Sequence, residues 1–145
     1  MAADSPPLLC IGLMSGTSLD AVDGCLLAMT DSARMQGTDA AAPMRQLAFA
    51  SRAMPPALRA ELLALNTPGD NELHRAALAA NALMDLYAEV TEALCTQAAV
   101  QPIQIAVIGA HGQTVRHRPQ MFDGTGYTLQ LVNGALLAER TGIAG

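Results

Sequence analysis

No lysine occurs anywhere in this chain: all eight basic residues are arginine. That absence excludes a Schiff-base enzyme, which needs a lysine amine as nucleophile. It also excludes a P-loop nucleotide hydrolase, whose glycine-rich loop sets a lysine on the phosphates. Any phosphate bound here must be held by backbone N–H groups, hydroxyls, arginine or metal. Tryptophan is absent and aromatics stop at two Phe and two Tyr, so the core must be built from Leu, Ala, Val, Ile and Met. A basic surplus is lacking as well. The formal net charge of −5 argues against a nucleic-acid partner, which would call for a basic face. No run approaches the ~18 continuous apolar residues of a membrane helix. The opening residues, Met1 to Pro7, lack the positive start of a secretory signal. Cys10, Cys25 and Cys95 are odd in number and share no metal-ligand spacing, so they read as reduced thiols. A soluble, cytoplasmic protein is expected, with no membrane partner.

What the chain does contain is one domain's worth of apolar residues, 51% of 145, enough to bury about 70% of the unfolded surface. Leu8–Met14 and Val22–Met29 read as two strands of a hairpin, broken at Ser15-Gly-Thr-Ser18. Thr30–Pro43 reads as an exposed loop, and Met44–Ala53 as a third strand with Leu47 and Phe49 on one face. Pro55-Pro56 starts a short helix that runs through Leu65. Leu73, Ala77, Ala80, Met84, Tyr87, Thr91, Leu94 and Ala98 then recur at steps of three and four. They predict a helix of about 28 residues, with Asp70 or Asn71 as its N-cap. Pro102 ends it, and Ile103–Gly109 reads as a buried central strand. A polar stretch containing Asp123-Gly-Thr-Gly126 leads to a strand over Tyr127–Val132. Asn133 then caps a helix from Gly134 to about Arg140, closed by Thr141-Gly142. Hairpins first and helices later predict an α/β fold, a mixed sheet with helices packed on it. The last residues, to Gly145, read as the start of another strand, so the chain looks truncated.

Two segments could carry chemistry. In the hairpin tip, Gly16, Thr17 and Ser18 would cradle phosphates through backbone N–H groups and hydroxyls. Asp20 and Asp23 would hold a Mg²⁺ through its water shell. The plain alternative is a tight turn whose hydroxyls satisfy their own backbone. Past the buried strand, where α/β sheets bind ligands, lies His111-Gly-Gln-Thr114. His111 and Gln113 could orient a polyhydroxylated substrate while Gly112 lets it approach the backbone; the alternative is a strand-end turn. His117, between Arg116 and Arg118, reads as a solvated face, and His74 as structural or exposed. Serine-hydrolase chemistry is excluded by the want of a Gly-x-Ser-x-Gly elbow between strand and helix. A metal hydrolase is excluded by the absence of His-x-x-x-His.

Met14-Ser-Gly-Thr-Ser-Leu-Asp20 with Val22-Asp23, and Gly109-x-His-Gly-Gln-Thr-Val-x-His-x-Pro119, closely resemble the anhydro-N-acetylmuramic acid kinases. Thr128-Leu-Gln130 through Ala138-Glu-Arg-Thr-Gly-Ile143 matches the same family in order and spacing. The resemblance implies an actin-like ATPase fold (ribonuclease H-like), two lobes around a nucleotide cleft, with residues 1–145 the N-terminal lobe and the second lobe absent. It implies ATP and Mg²⁺ as cofactors and 1,6-anhydro-N-acetylmuramic acid, an amino sugar, as substrate. Water opens the anhydro bridge while the 6-oxygen takes the γ-phosphoryl group, in cell-wall recycling. Carried over by motif, Gly16, Thr17, Ser18, Leu19, Asp20, Ala21, Val22 and Asp23 bind ATP. His111, Gly112, Gln113 and Thr114 lie near the sugar. The family's catalytic Asp, a general base, is expected beyond residue 145, so this chain holds no catalytic residue and is expected to be inactive alone. Full-length members are expected to form homodimers. A different class of reading is a non-catalytic remnant that binds a partner or a nucleotide weakly. Three departures stand out: Ala21 replaces a glycine, Val132-Asn133 replaces Gly-Asp, and Met14 stands where the wider fold family often has Asp in its first strand.

Overall fold

The computed structural model describes residues 6–30 and 44–145. The two N-terminal apolar runs form β1 (Leu8–Ser15) and β2 (Ala21–Met29). They pair antiparallel, from Leu8 opposite Met29 to Ser15 opposite Val22, as the hairpin reading requires. Alternation along each strand buries Ile11, Leu13, Val22 and Leu26 on one face. Met14 and Asp23 are exposed on the other.

β3 (Met44–Ala53) extends the sheet antiparallel to β2. Its core face carries Ala48 and Ala50, while Phe49 is 53% exposed. Leu47 and Phe49 do not behave as a pair: a register shift opposite Leu26 and Leu27 lets Leu47 pack at the margin of the core. β4 (Ile105–Ala110) runs parallel to β1, giving a mixed sheet of order β3-β2-β1-β4. The strand begins later than its apolar run. Pro102–Gln104 forms a 3-10 turn and Ile103 is 89% exposed, because proline at the run's start suits a helical first turn better than a ladder. Nor is β4 central among the described residues. It pairs with β1 on one side, and on the other Ile108 N–H donates to Ala144 O at 2.8 Å.

α1 (Pro56–Ala64) starts at the proline pair, as expected, and buries Leu58 and Leu62. α2 (Glu72–Ala98) spans 27 residues, roughly 40 Å at helical rise. The expected row of Ala80, Met84, Tyr87, Thr91 and Leu94 is buried, and a second row joins it: Ala79, Leu83, Leu86 and Val90. Together the two rows make a buried face wider than a single amphipathic stripe anticipates, and Val90 of one row and Leu94 of the other both approach β2 at Gly24. The helix lies against β2 and β3 and also against α1, α3 (Gly134–Thr141) and β6 (Gly126–Leu131). Leu73, in its first turn, is 91% exposed and Ala77 is exposed too. Neither expected side chain caps the helix: Asn71 occupies the cap position at φ 56° without a cap bond, and Asp70 contributes its carbonyl to Arg75 at 3.2 Å.

The break in the apolar run at Gly24 has a packing cause. A Cβ there would stand 2.5 Å from Val90 Cγ1 and 2.9 Å from Leu13 Cδ2, so the glycine admits α2 close to β2. After β4, the stretch expected to be irregular contains β5 (Gln113–Pro119), paired antiparallel with β6 in a separate two-stranded sheet. Asp123 closes that hairpin by accepting from Gly126 N–H at 2.8 Å and Thr125 N–H at 2.9 Å. Those two bonds hold its carboxyl below the usual range. α3 follows the sequence reading closely: Asn133 Oδ1 caps it by accepting from Leu136 N–H at 3.1 Å, and Gly142 ends it at φ 71°. The loop expected over Thr30–Pro43 falls, from residue 31 on, outside the described residues. Among the described residues, no helix is long and apolar enough to cross a membrane.

Candidate functional site

The end of β1 and the start of β2 are joined by residues 16–20, which turn through a bond from Leu19 N–H to Gly16 O at 3.1 Å. Leu19 sits at φ 55° with its side chain only 2% exposed. A left-handed leucine costs on the order of 1 kcal/mol of backbone strain, held here by burial of the isobutyl group. That anchor leaves Thr17 and Ser18 exposed, and neither hydroxyl is engaged by any described residue. The turn therefore does not consume its own hydroxyls. Ala21 lies in β2 opposite Ala53 and is not among the residues with positive φ, so its methyl group is accommodated.

Asp23 accepts a hydrogen bond from Ser51 Oγ at 2.7 Å, on the exposed face of the sheet. Asp20 is exposed, and its carbonyl accepts from Met54 N–H at 2.9 Å. Among the described residues no group of three or more His, Cys, Asp or Glu could hold a metal. The donor set at the hairpin, two exposed carboxylates beside hydroxyls, fits a hydrated Mg²⁺ held through water rather than a directly ligated ion.

The second segment is fixed from behind. His111 N–H donates to Leu13 O at 2.9 Å, continuing the β1–β4 ladder. Tyr87, fully buried in α2, donates its hydroxyl to His111 O at 2.5 Å. Burial pushes the Tyr87 phenol well above its usual value, so it stays a donor throughout the working pH range. The His111 ring lies at the surface, where Gln130 Nε2 donates to its Nε2 at 2.9 Å. The neutral ring then carries its proton on Nδ1. Gly112 is buried, and a Cβ there would meet Leu131 O of β6 at 2.7 Å. The close approach it permits is that of a neighbouring strand. Gly112→Ala should therefore push β6 off β5 and cost about 1–3 kcal/mol, read as a lower denaturant midpoint; an unchanged midpoint would remove this role.

Gln113 and Ser15 are each only 3% exposed. Ser15 Oγ donates to Gln113 Oε1, joining the last residue of β1 to the first of β5 across 98 positions of sequence. Next to this pair, Thr17, Asn66, Gln113, Thr114, His117 and Arg118 line a cleft of about 310 Å³. The hairpin tip and the His-Gly-Gln-Thr segment, more than ninety residues apart, thus share one cleft. His117 is exposed, with Nδ1 2.8 Å from Thr128 Oγ1. Arg116 is not solvated: its Nε donates to Leu65 O at 3.1 Å and its Nη2 pairs with Glu72, clamping β5 to the ends of α1 and α2. His74 is exposed. Ser15, Asn66 and Arg118 were not singled out as ligand-site residues. Ser15 ends β1, Asn66 follows α1 and Arg118 lies on β5, so no single local pattern marks them.

A mixed α/β domain whose free-hydroxyl turn meets a polar strand end across a small cleft is the kind of unit that holds a small, oxygen-rich ligand. Comparison with known proteins narrows the class. Residues 8–145 match the family described as anhydro-N-acetylmuramic acid kinase. The chain is 57% identical over 135 residues to the anhydro-N-acetylmuramic acid kinase of Variovorax paradoxus, covering 93% of this chain and 33% of the relative. To that of Bordetella petrii it is 53% identical over 139 residues, covering 96% and 33%. To that of Ralstonia nicotianae it is 51% identical over 133 residues, covering 92% and 32%. This chain belongs to the anhydro-N-acetylmuramic acid kinase family. It spans about a third of the length of the curated relatives it matches.

Proposed function

We propose that this chain is the N-terminal lobe of a two-lobed, actin-like kinase that converts 1,6-anhydro-N-acetylmuramic acid, ATP and water to N-acetylmuramic acid 6-phosphate and ADP. The lobe contributes the phosphate-binding hairpin at Gly16–Asp23 and one wall of the sugar site at His111–Thr114. The observation that carries this reading is the pair of hydroxyls on Thr17 and Ser18, exposed beside buried Leu19 and unengaged among the described residues, with Thr17 lining a cleft shared with Gln113 and Thr114. In a chain without lysine, hydroxyls, backbone N–H groups and arginine are the donors left for phosphate oxygens, and the hairpin supplies the first two. Asp20 and Asp23 would hold Mg²⁺ through its waters, and the ion would supply charge neutralisation at the phosphates. The reading carries with it a cytoplasmic enzyme of cell-wall recycling and a homodimer of the full-length protein.

Titration of the ¹⁵N-labelled chain with MgATP tests it. The largest amide shifts should fall in 16–23, with smaller ones in 111–117. Shifts confined to other surfaces, such as the acidic groove between α2 and α3 that includes Asp85, Glu89 and Glu92, would overturn the assignment.

A further inference from the structure

The Ser15–Gln113 pair does more than close a gap between two strands. A serine hydroxyl can only donate to a carboxamide oxygen, so Gln113 Oε1 is committed to Ser15. What Gln113 has left to donate is the N–H pair of Nε2, whose only acceptor among the described residues is Thr114 O at a long 3.4 Å. Turning the carboxamide over would set N–H against Ser15 Oγ and leave the serine proton without an acceptor. At 3% exposure for both residues, no bulk water could replace that acceptor, and an unmet buried donor is costly. The serine thus fixes which end of the amide is free.

The walls of the cleft point the same way. Arg118 makes no ion pair among the described residues; its Nη1 donates to the His117 carbonyl at 3.0 Å. Asn66, Thr17 and Thr114 add further donors, and among the described residues no aspartate or glutamate lines the cleft. A cleft rich in donors and free of carboxylates selects a ligand group that presents acceptor oxygens, above all an oxyanion.

We infer that Ser15 is a positioning residue: it locks Gln113 with its N–H groups available to an acceptor oxygen of the ligand bound in this cleft. The inference rests on the proposed function for the identity of the ligands. Two sources share this chemistry, the oxygens of the amino sugar acid and the phosphates of ATP.

The test is NMR titration of the chain with 1,6-anhydro-N-acetylmuramic acid and, separately, with MgATP, following the Gln113 side-chain amide. In the wild-type chain those signals should shift with one ligand, which identifies the source. Ser15→Ala should weaken binding of that ligand about tenfold and broaden the Gln113 signals, and Ser15→Thr should restore both. Gln113→Glu, which keeps an acceptor for Ser15 but has no donor, should weaken binding at least as much. If the buried glutamate prevents folding, the Ser15→Ala and Ser15→Thr pair decides alone. Wild-type affinity in Ser15→Ala, or failure of Ser15→Thr to restore it, overturns the positioning role and leaves the functional reading standing. A folded wild-type chain that binds neither ligand sinks both.

Discussion

Replacing Thr17 by valine and Ser18 by alanine together, in a polypeptide of the relatives' full length, should lower kcat/KM for ATP by roughly 10²-fold or more. Valine keeps the shape of threonine, so the change removes hydrogen-bonding capacity and little else. Both side chains are exposed and neither hydroxyl bonds to a described residue. The double variant should therefore unfold within about 0.5 kcal/mol of wild type, as surface changes away from special contacts do. Kinetics and melting must be read together. A large loss of activity at unchanged stability is expected; unchanged kinetics would take the hairpin out of the phosphate site.

The second large effect is an absence. Purified chain incubated with MgATP and 1,6-anhydro-N-acetylmuramic acid should give no sugar 6-phosphate by ³¹P NMR. Phosphoryl transfer depends on holding nucleophile and phosphate in line and on excluding water. Here no carboxylate among the described residues lines the cleft to accept a proton from an attacking water, and the chain supplies about a third of the relatives' length. Sugar 6-phosphate above a no-protein control would show that these residues suffice and would overturn the assignment of water activation to the remaining two-thirds.

How far the sequence foretold this structure depended on how local each cause was. Helix α3 was legible to within a residue, because Asn133 and Gly142 act on their own neighbours. The β1–β2 hairpin was legible because two apolar runs are broken by a short stretch of small turn-forming residues, a local signal. β5 was not. Val115 and Gln113 are its only buried residues, and what pins it is Arg116 reaching Leu65 and Glu72, more than forty positions away. The second buried row of α2 was hidden for the same reason, since only tertiary packing reveals that the helix is covered on two sides. At the site, the two segments were recognisable as motifs, but their meeting rests on Ser15 and Gln113, 98 residues apart. No periodicity reports such a contact. The left-handed Leu19 was also unforeseen, as its backbone suits glycine while its burial suits leucine.

That conflict at Leu19 has a thermal consequence. A loop whose shape came from backbone preference would keep that shape until the sheet melted. This one is held by a side chain seated in the core, so its geometry follows the looseness of the surrounding packing. As temperature rises and core side chains gain freedom, the backbone at residue 19 can relax toward ordinary angles before β1 and β2 separate. Affinity for a ligand held by this turn should then decline some degrees below the melting temperature, with the loop acting as the softest part of a still-folded domain.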